Sequence, residues 1–140
     1  MTDALRFTTT LPRGPLQAGR RVVLNLELLN EGPSVVLVNA RFAVVPSIGD
    51  VRLVVRRNGA GVPFRYRVRL RVLSNGDFLA LGPGERVVAG FELSGGYDVS
   101  TAGTYEVEAE YVSEEIPPVL EKEPVFRGRL QAPKVELSIA

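Results

Sequence analysis

Residues 65–72 read RYRVRLRV, with Arg65, Arg67, Arg69 and Arg71 at every second position and Tyr66, Val68, Leu70 and Val72 between them. Guanidiniums spaced in this way suit carboxylates or phosphates, which they grip through paired N–H donors. A nucleic-acid grip would also need exposed aromatic platforms or a net basic surface. If the stretch is a strand, alternation turns Phe64 and Tyr66 away from the arginines and toward the core. The formal net charge of the whole chain is only +1.

The charges fall in two opposed blocks: residues 51–71 carry seven Arg and no acid, and residues 104–123 carry seven Glu against one Lys. A sheet that sets Glu106, Glu108 and Glu110 beside the arginine row would form a cross-strand charge ladder. The first reading is therefore a solvated, mutually compensated sheet face. A protein-binding surface using Arg65, Arg67, Arg69 and Arg71 comes second and nucleic acid last, so no nucleic-acid partner is expected.

Other residues capable of chemistry are few. Glu114 and Glu115 are adjacent in a loop and are read as solvated acids that could touch a partner, because neighbours in sequence are not a separated, differently tuned acid/base pair. Asp50, Asp77, Glu85 and Asp98 all fall at turns, where oxygen ligands for calcium are often found, yet no spacing matches a calcium loop and turn formation explains them. The chain has no histidine and no cysteine, which removes the commonest general base, the usual zinc ligands and a thiol nucleophile. The only lysines, Lys122 and Lys134, have no serine placed for a Ser-Lys nucleophile. Neither catalysis nor a cofactor is expected.

The surrounding chain predicts an all-β framework. Its 140 residues fit one domain, and ten prolines with fourteen glycines interrupt it too often for a long helix. Strands are expected over residues 5–11, over 20–30 with Val22, Leu24, Leu26 and Leu28 inward, over 35–45 with a bend near Asn39, and over 51–57. Asn58–Gly61 (NGAG) predicts a hairpin whose second arm runs through residues 62–73, closed by Ser74–Asp77. Further strands are expected over 86–93, over 104–112 with Tyr105, Val107, Ala109 and Tyr111 inward, and over 129–139. Asp98 and Ser100 are expected to turn the backbone between the first two of these. Residues 1–19 read as an N-terminal strand and turn, and residues 113–124, SEEIPPVLEKEP, as an acidic proline-rich loop. The fold class is thus all-β, an immunoglobulin-like two-sheet β-sandwich of about 7–9 antiparallel strands.

No apolar run approaches the roughly 20 residues of a membrane span, and the N-terminus lacks the apolar centre of a signal peptide. A cytoplasmic location is expected for the chain as it stands, or a secreted one if it is a mature fragment.

The segments VVRRNGAGVPFRYRV, FLALGPGERVVAGFELSGGYDVSTAGTYEVEAEY and RLQAPKVELSI resemble the β-sandwich domain that precedes the catalytic domain of aspzincin metallopeptidases, the deuterolysin-like and peptidyl-Lys enzymes. In that family a strand ending in R-x-G is followed by V-P-Y/F, L-x-P-G-E, L-S-x-x-Y-D-x-S and G-x-Y-x-V. The matching positions here are Asn58–Gly59, Val62–Phe64, Leu81–Glu85, Leu93–Ser100 and Gly103–Val107. The resemblance implies structural roles only: Pro83 and Gly84 in a turn, Asp98 and Ser100 in a connection, Tyr105 in the core. The family's zinc-binding H-E-x-x-H belongs to a separate domain, which a chain without histidine cannot contain. What the resemblance implies is a non-catalytic accessory domain that binds a protein partner such as a peptidase. A peptidase inhibitor and a subunit that self-associates through an edge strand such as KVELSI are the alternatives.

Overall fold

In a computed structural model that describes residues 4–12 and 16–140, the strongest period-two segments become the central strands. β1 (Leu5–Thr10), β2 (Val23–Asn30) and β7 (Arg86–Glu92) form an antiparallel sheet in the order β1-β2-β7. A second antiparallel sheet has the order β10-β8-β4-β5, from β4 (Val51–Arg57), β5 (Ala60–Gly61), β8 (Gly103–Ser113) and β10 (Val135–Ile139). β9 (Gly128–Gln131) extends its edge by pairing with the end of β8. β3 (Val36–Asn39) and β6 (Phe78–Leu81) make a third, two-stranded sheet.

The expected inward faces are buried together. Val22, Leu24, Leu26 and Leu28 share one core with Val51, Leu53 and Val55 and with Tyr105, Val107, Ala109 and Tyr111. The Phe7 and Tyr111 rings lie 5.8 Å apart, so β1 meets β8 directly. Each large apolar side chain taken from water here contributes about 1.5–3 kcal/mol, which is what holds the faces together. Ser100 N donates to Asp98 Oδ1 at 3.0 Å, the expected side-chain turn ahead of β8. At the start of β8, Tyr105 Oη donates to Thr101 O at 2.6 Å.

The described residues hold ten strands in three sheets, where about seven to nine strands in two were expected. β6 (Phe78–Leu81), where no strand was expected, pairs with β3 to make the third sheet, and two long expected strands are cut short or divided. The stretch 35–45 stays a strand only to Asn39, whose Oδ1 accepts the Arg41 N–H at 3.0 Å and turns the chain. Phe42 and Ser47 then take positive φ, of 52° and 72°, which no strand allows. The final expected strand is divided by Pro133 into β9 and β10. The expected turn at residues 13–19 falls partly on residues outside those described.

The hairpin arm is the main departure. Asn58 and Gly59 have φ of 50° and 85°, as a two-residue primed turn requires, yet β5 ends at Gly61. Val62 N still donates to Val55 O at 2.8 Å, and there the pairing ceases. Pro63 fixes φ near about −65°, far from the roughly −140° of an antiparallel strand. Continuing the register of Arg56 with Gly61 would also set Arg65 opposite Arg52, a like-charge pair. Phe64 instead bridges to Tyr97, with ring centroids 5.3 Å apart, and Arg65 N donates to Gly96 O at 2.8 Å. Residues 65–74 then continue outside any strand. No helix among the described residues is long and apolar enough to cross a membrane.

Candidate functional site

Two regions bring charged groups together: the free run of residues 65–72, and a cleft into which its far end leads. The run follows a bridge that anchors it to the end of the single-turn helix α1 (Leu93–Gly96). Arg65 donates to Ser94 O at 2.5 Å. At the other end Arg71 makes a two-pronged contact with Asp77, one arm of it 2.7 Å long, and Arg41 Nη1 donates to Arg71 O at 2.7 Å. Between these anchors no main-chain N–H or C=O of Tyr66 to Leu70 has a hydrogen-bond partner among the described residues.

The side chains of this run depart from the sequence expectation. Arg67 and Arg69 are exposed as expected, but Tyr66 is 51% exposed and Val68 41%, rather than facing the core. Val72 is 88% exposed. Tyr66 packs edge-on against Phe64, with centroids 5.7 Å apart, and sets its hydroxyl against Gly95. The alternation therefore separates two solvent-facing rows, and an aromatic platform stands beside the arginines after all.

The expected neutralisation of the row also takes another form. Glu106 and Glu110 of β8 lie opposite Arg56 and Arg52 of β4. Arg56 reaches Glu108 at 3.5 Å, Arg129 reaches Glu110 at 3.5 Å, and Lys134 reaches Glu106 at 3.4 Å. A ladder forms, but its bases come from β4, β9 and residue 134. Arg67 and Arg69 have no acidic partner among the described residues.

The cleft, about 370 Å³, lies between the loop before β4, residues 70–73 and the end of β8. Arg52, Arg71, Glu114 and Glu115 are among the side chains that line it, so three of the six candidate residues meet here, while Arg65 belongs to a different hollow beside Asp98. Glu114 is held by Arg129 at 3.0 and 3.1 Å, and this bond keeps its carboxyl below its usual range. A carboxyl shifted in that direction is ionised at neutral pH and cannot serve there as a general acid.

Beneath the cleft lies a buried polar network that the sequence reading did not anticipate. Asp50 is 4% exposed, and its two oxygens accept four hydrogen bonds: Asn39 Nδ2 at 2.8 Å, Arg41 Nε at 2.7 Å, Arg41 Nη2 at 2.8 Å and Ala43 N at 2.9 Å. This corrects its reading as an ordinary turn acid. The bond to Asp50 raises the Arg41 guanidinium above its ordinary pKa. Tyr111 Oη donates to Asn39 O at 2.8 Å and closes the network against the core. Gly49 gives the loop its tightness, since a Cβ there would stand 2.5 Å from Ala43 O. Asp77 belongs to the neighbouring Arg71 pair, which holds its carboxyl below the usual range, helped by the Ser74 N–H. The four turn acids do not converge: among the described residues no group of three or more acidic side chains is placed to hold a metal ion. No signal in the sequence distinguishes Asp50 from the other turn acids.

No protein-family model matches the chain, and no curated protein matches it.

Proposed function

We propose that the chain is a non-catalytic protein-interaction domain on an immunoglobulin-like framework, with residues 65–72 as its contact surface. Three features support the framework. The order β1-β2-β7 reads as strands A-B-E, and β10-β8-β4-β5 as G-F-C-C′. The Tyr105 Oη bond to a carbonyl four residues upstream, at the entry to the F-like strand, has the form of a tyrosine corner. The β3–β6 pair is then an addition to that plan.

The observation that carries the binding reading is the run Tyr66–Leu70, whose main chain is unpaired among the described residues and whose Tyr66 and Val68 side chains are exposed, with Leu70 half-buried. Unpaired backbone beside exposed apolar side chains is the usual means of strand addition. The aspzincin resemblance makes a zinc peptidase folded as a separate chain the first partner to try.

The test is cross-linking capture from extracts of the source organism, with the natural chain and a Tyr66→Ser/Arg67→Glu/Val68→Ser/Arg69→Glu variant as parallel baits. A partner recovered at least about tenfold better by the natural chain, and reconstituted from purified components, is the expected result; losses of this size follow the removal of anchor residues. Equal recovery by both baits, or no partner that can be reconstituted, overturns the reading.

A further inference from the structure

We infer that the partner is an extended segment in which acidic and apolar residues alternate, added as a strand along Tyr66–Leu70. This rests on the protein-interaction reading above and names the chemistry of its ligand.

The main chain defines the first requirement. The unpaired N–H and C=O groups of Tyr66 to Leu70 call for a ladder, which only another extended polypeptide supplies in register. None of the residues 62–74 has positive φ, so the run can take up a pleat without strain at any residue.

The side chains define the second. Once pleated, Arg67 and Arg69 project to one face and Tyr66, Val68 and Leu70 to the other, with like residues about 6.6–6.8 Å apart. A strand that pairs here meets two guanidiniums without acidic partners among the described residues on one face, and on the other the exposed Tyr66 and Val68 with the half-buried Leu70. Carboxylates at every second position answer the first row, and aliphatic or aromatic residues between them answer the second. A uniformly acidic strand would leave the apolar row uncovered.

Other occupants fit less well. A nucleic acid would use the arginines and the half-exposed Tyr66 ring but would leave the backbone ladder unmade. A second copy of the chain offers alternating acids only on β8, which is paired along both edges by β4 and by β9 and β10. Its other acidic stretch is interrupted by Pro117 and Pro118 and coils into a 3-10 turn at Pro118–Leu120.

The test uses the purified full chain and three synthetic peptides: an alternating Glu/aliphatic peptide, a shuffled peptide of the same composition, and the alternating peptide with a central proline. Fluorescence anisotropy measures binding, and amide hydrogen exchange locates it. The expected result is binding of the alternating peptide, weakened at least about tenfold by shuffling, by the proline, or by Arg67→Glu/Arg69→Glu, with new protection confined to Tyr66–Leu70. Equal binding of alternating and shuffled peptides, protection elsewhere, tighter binding of a single-stranded oligonucleotide, or concentration-dependent self-association with no peptide binding each overturns the proposal. If the peptides fail but the capture experiment recovers a partner dependent on residues 66–69, the protein-interaction reading stands and only the ligand chemistry falls.

Discussion

Replacing Asp50 with Ala should be among the most costly single changes in the domain. The carboxylate is almost fully buried, and the Arg41 side chain paired with it is only 12% exposed. Deleting it strands a guanidinium away from water and leaves Asn39 Nδ2 and Ala43 N without their acceptor. Breaking a buried pair from one side costs about 3–5 kcal/mol. That is a large share of the roughly 5–15 kcal/mol that stabilises a typical domain. Arg41→Met should cost a similar amount, because it strands the carboxylate instead. The double variant Arg41→Met/Asp50→Ala removes both charges and leaves only neutral groups without partners, so its loss should fall about 2–3 kcal/mol short of the summed singles. Urea unfolding followed by far-ultraviolet circular dichroism reads all four proteins. An Asp50→Ala loss below about 1 kcal/mol, or singles that add within about 0.5 kcal/mol, would refute the burial and coupling argued for the network.

Three further outcomes are expected. Tyr105→Phe removes the bond to Thr101 O and should lower stability by about 0.5–1.5 kcal/mol, seen as a drop of about 2–6 °C in the melting temperature; an unchanged melting temperature would count against the corner. Tyr97→Phe should be neutral or raise stability by up to about 1 kcal/mol, because the buried hydroxyl has no partner among the described residues and its burial pushes its pKa up to about 12. A clear loss in urea unfolding would show that the hydroxyl is bonded. The carboxyls of Asp77, Asp98 and Glu114 are all held below their ordinary values. The folded chain therefore binds fewer protons than the unfolded one across the acid range, so their contribution is complete above about pH 4–4.5 and declines as pH falls through the folded values. Urea midpoints at a series of pH values should fall on acidification, and Arg71→Ala should flatten that slope; midpoints that rose toward pH 3 would contradict the assignment.

Much of the framework was legible in the sequence, for an identifiable reason. In β2 and β8 the buried face is apolar up to a terminal Asn30 or Ser113, while the other carries Asn25, Glu27 and the glutamate row, so period two and burial coincide. In residues 65–72 the same period two appears without burial. Alternation records which side chains could face a core, but whether a sheet edge is open to receive them depends on Pro63, on the like-charged Arg52 and on the pull of Phe64 toward Tyr97. The charge ladder shows a similar limit. The acids of β8 were recognisable, but their partners depend on register, which put Arg52 and Arg56 beside them rather than Arg65 to Arg71. Asp50 was invisible as a site because its partners, Asn39 and Arg41, reach it only after the chain bends at Asn39 and loops back. All six candidate contact residues are exposed, but Arg67 and Arg69 have no acidic partner among the described residues rather than one across a sheet, while Arg71 and Glu114 pair with Asp77 and Arg129.

The account turns on whether Tyr66–Leu70 is unpaired in the free domain, and native-state amide hydrogen exchange measures this residue by residue. Amides of Tyr66 to Leu70 should exchange close to the rate of an unstructured chain, while those of Val107 to Tyr111, central in the five-stranded sheet, should be protected to near the global unfolding free energy. Protection at Tyr66–Leu70 comparable to that of β8 would mean that the run is already a laddered strand, with no open edge to offer a partner.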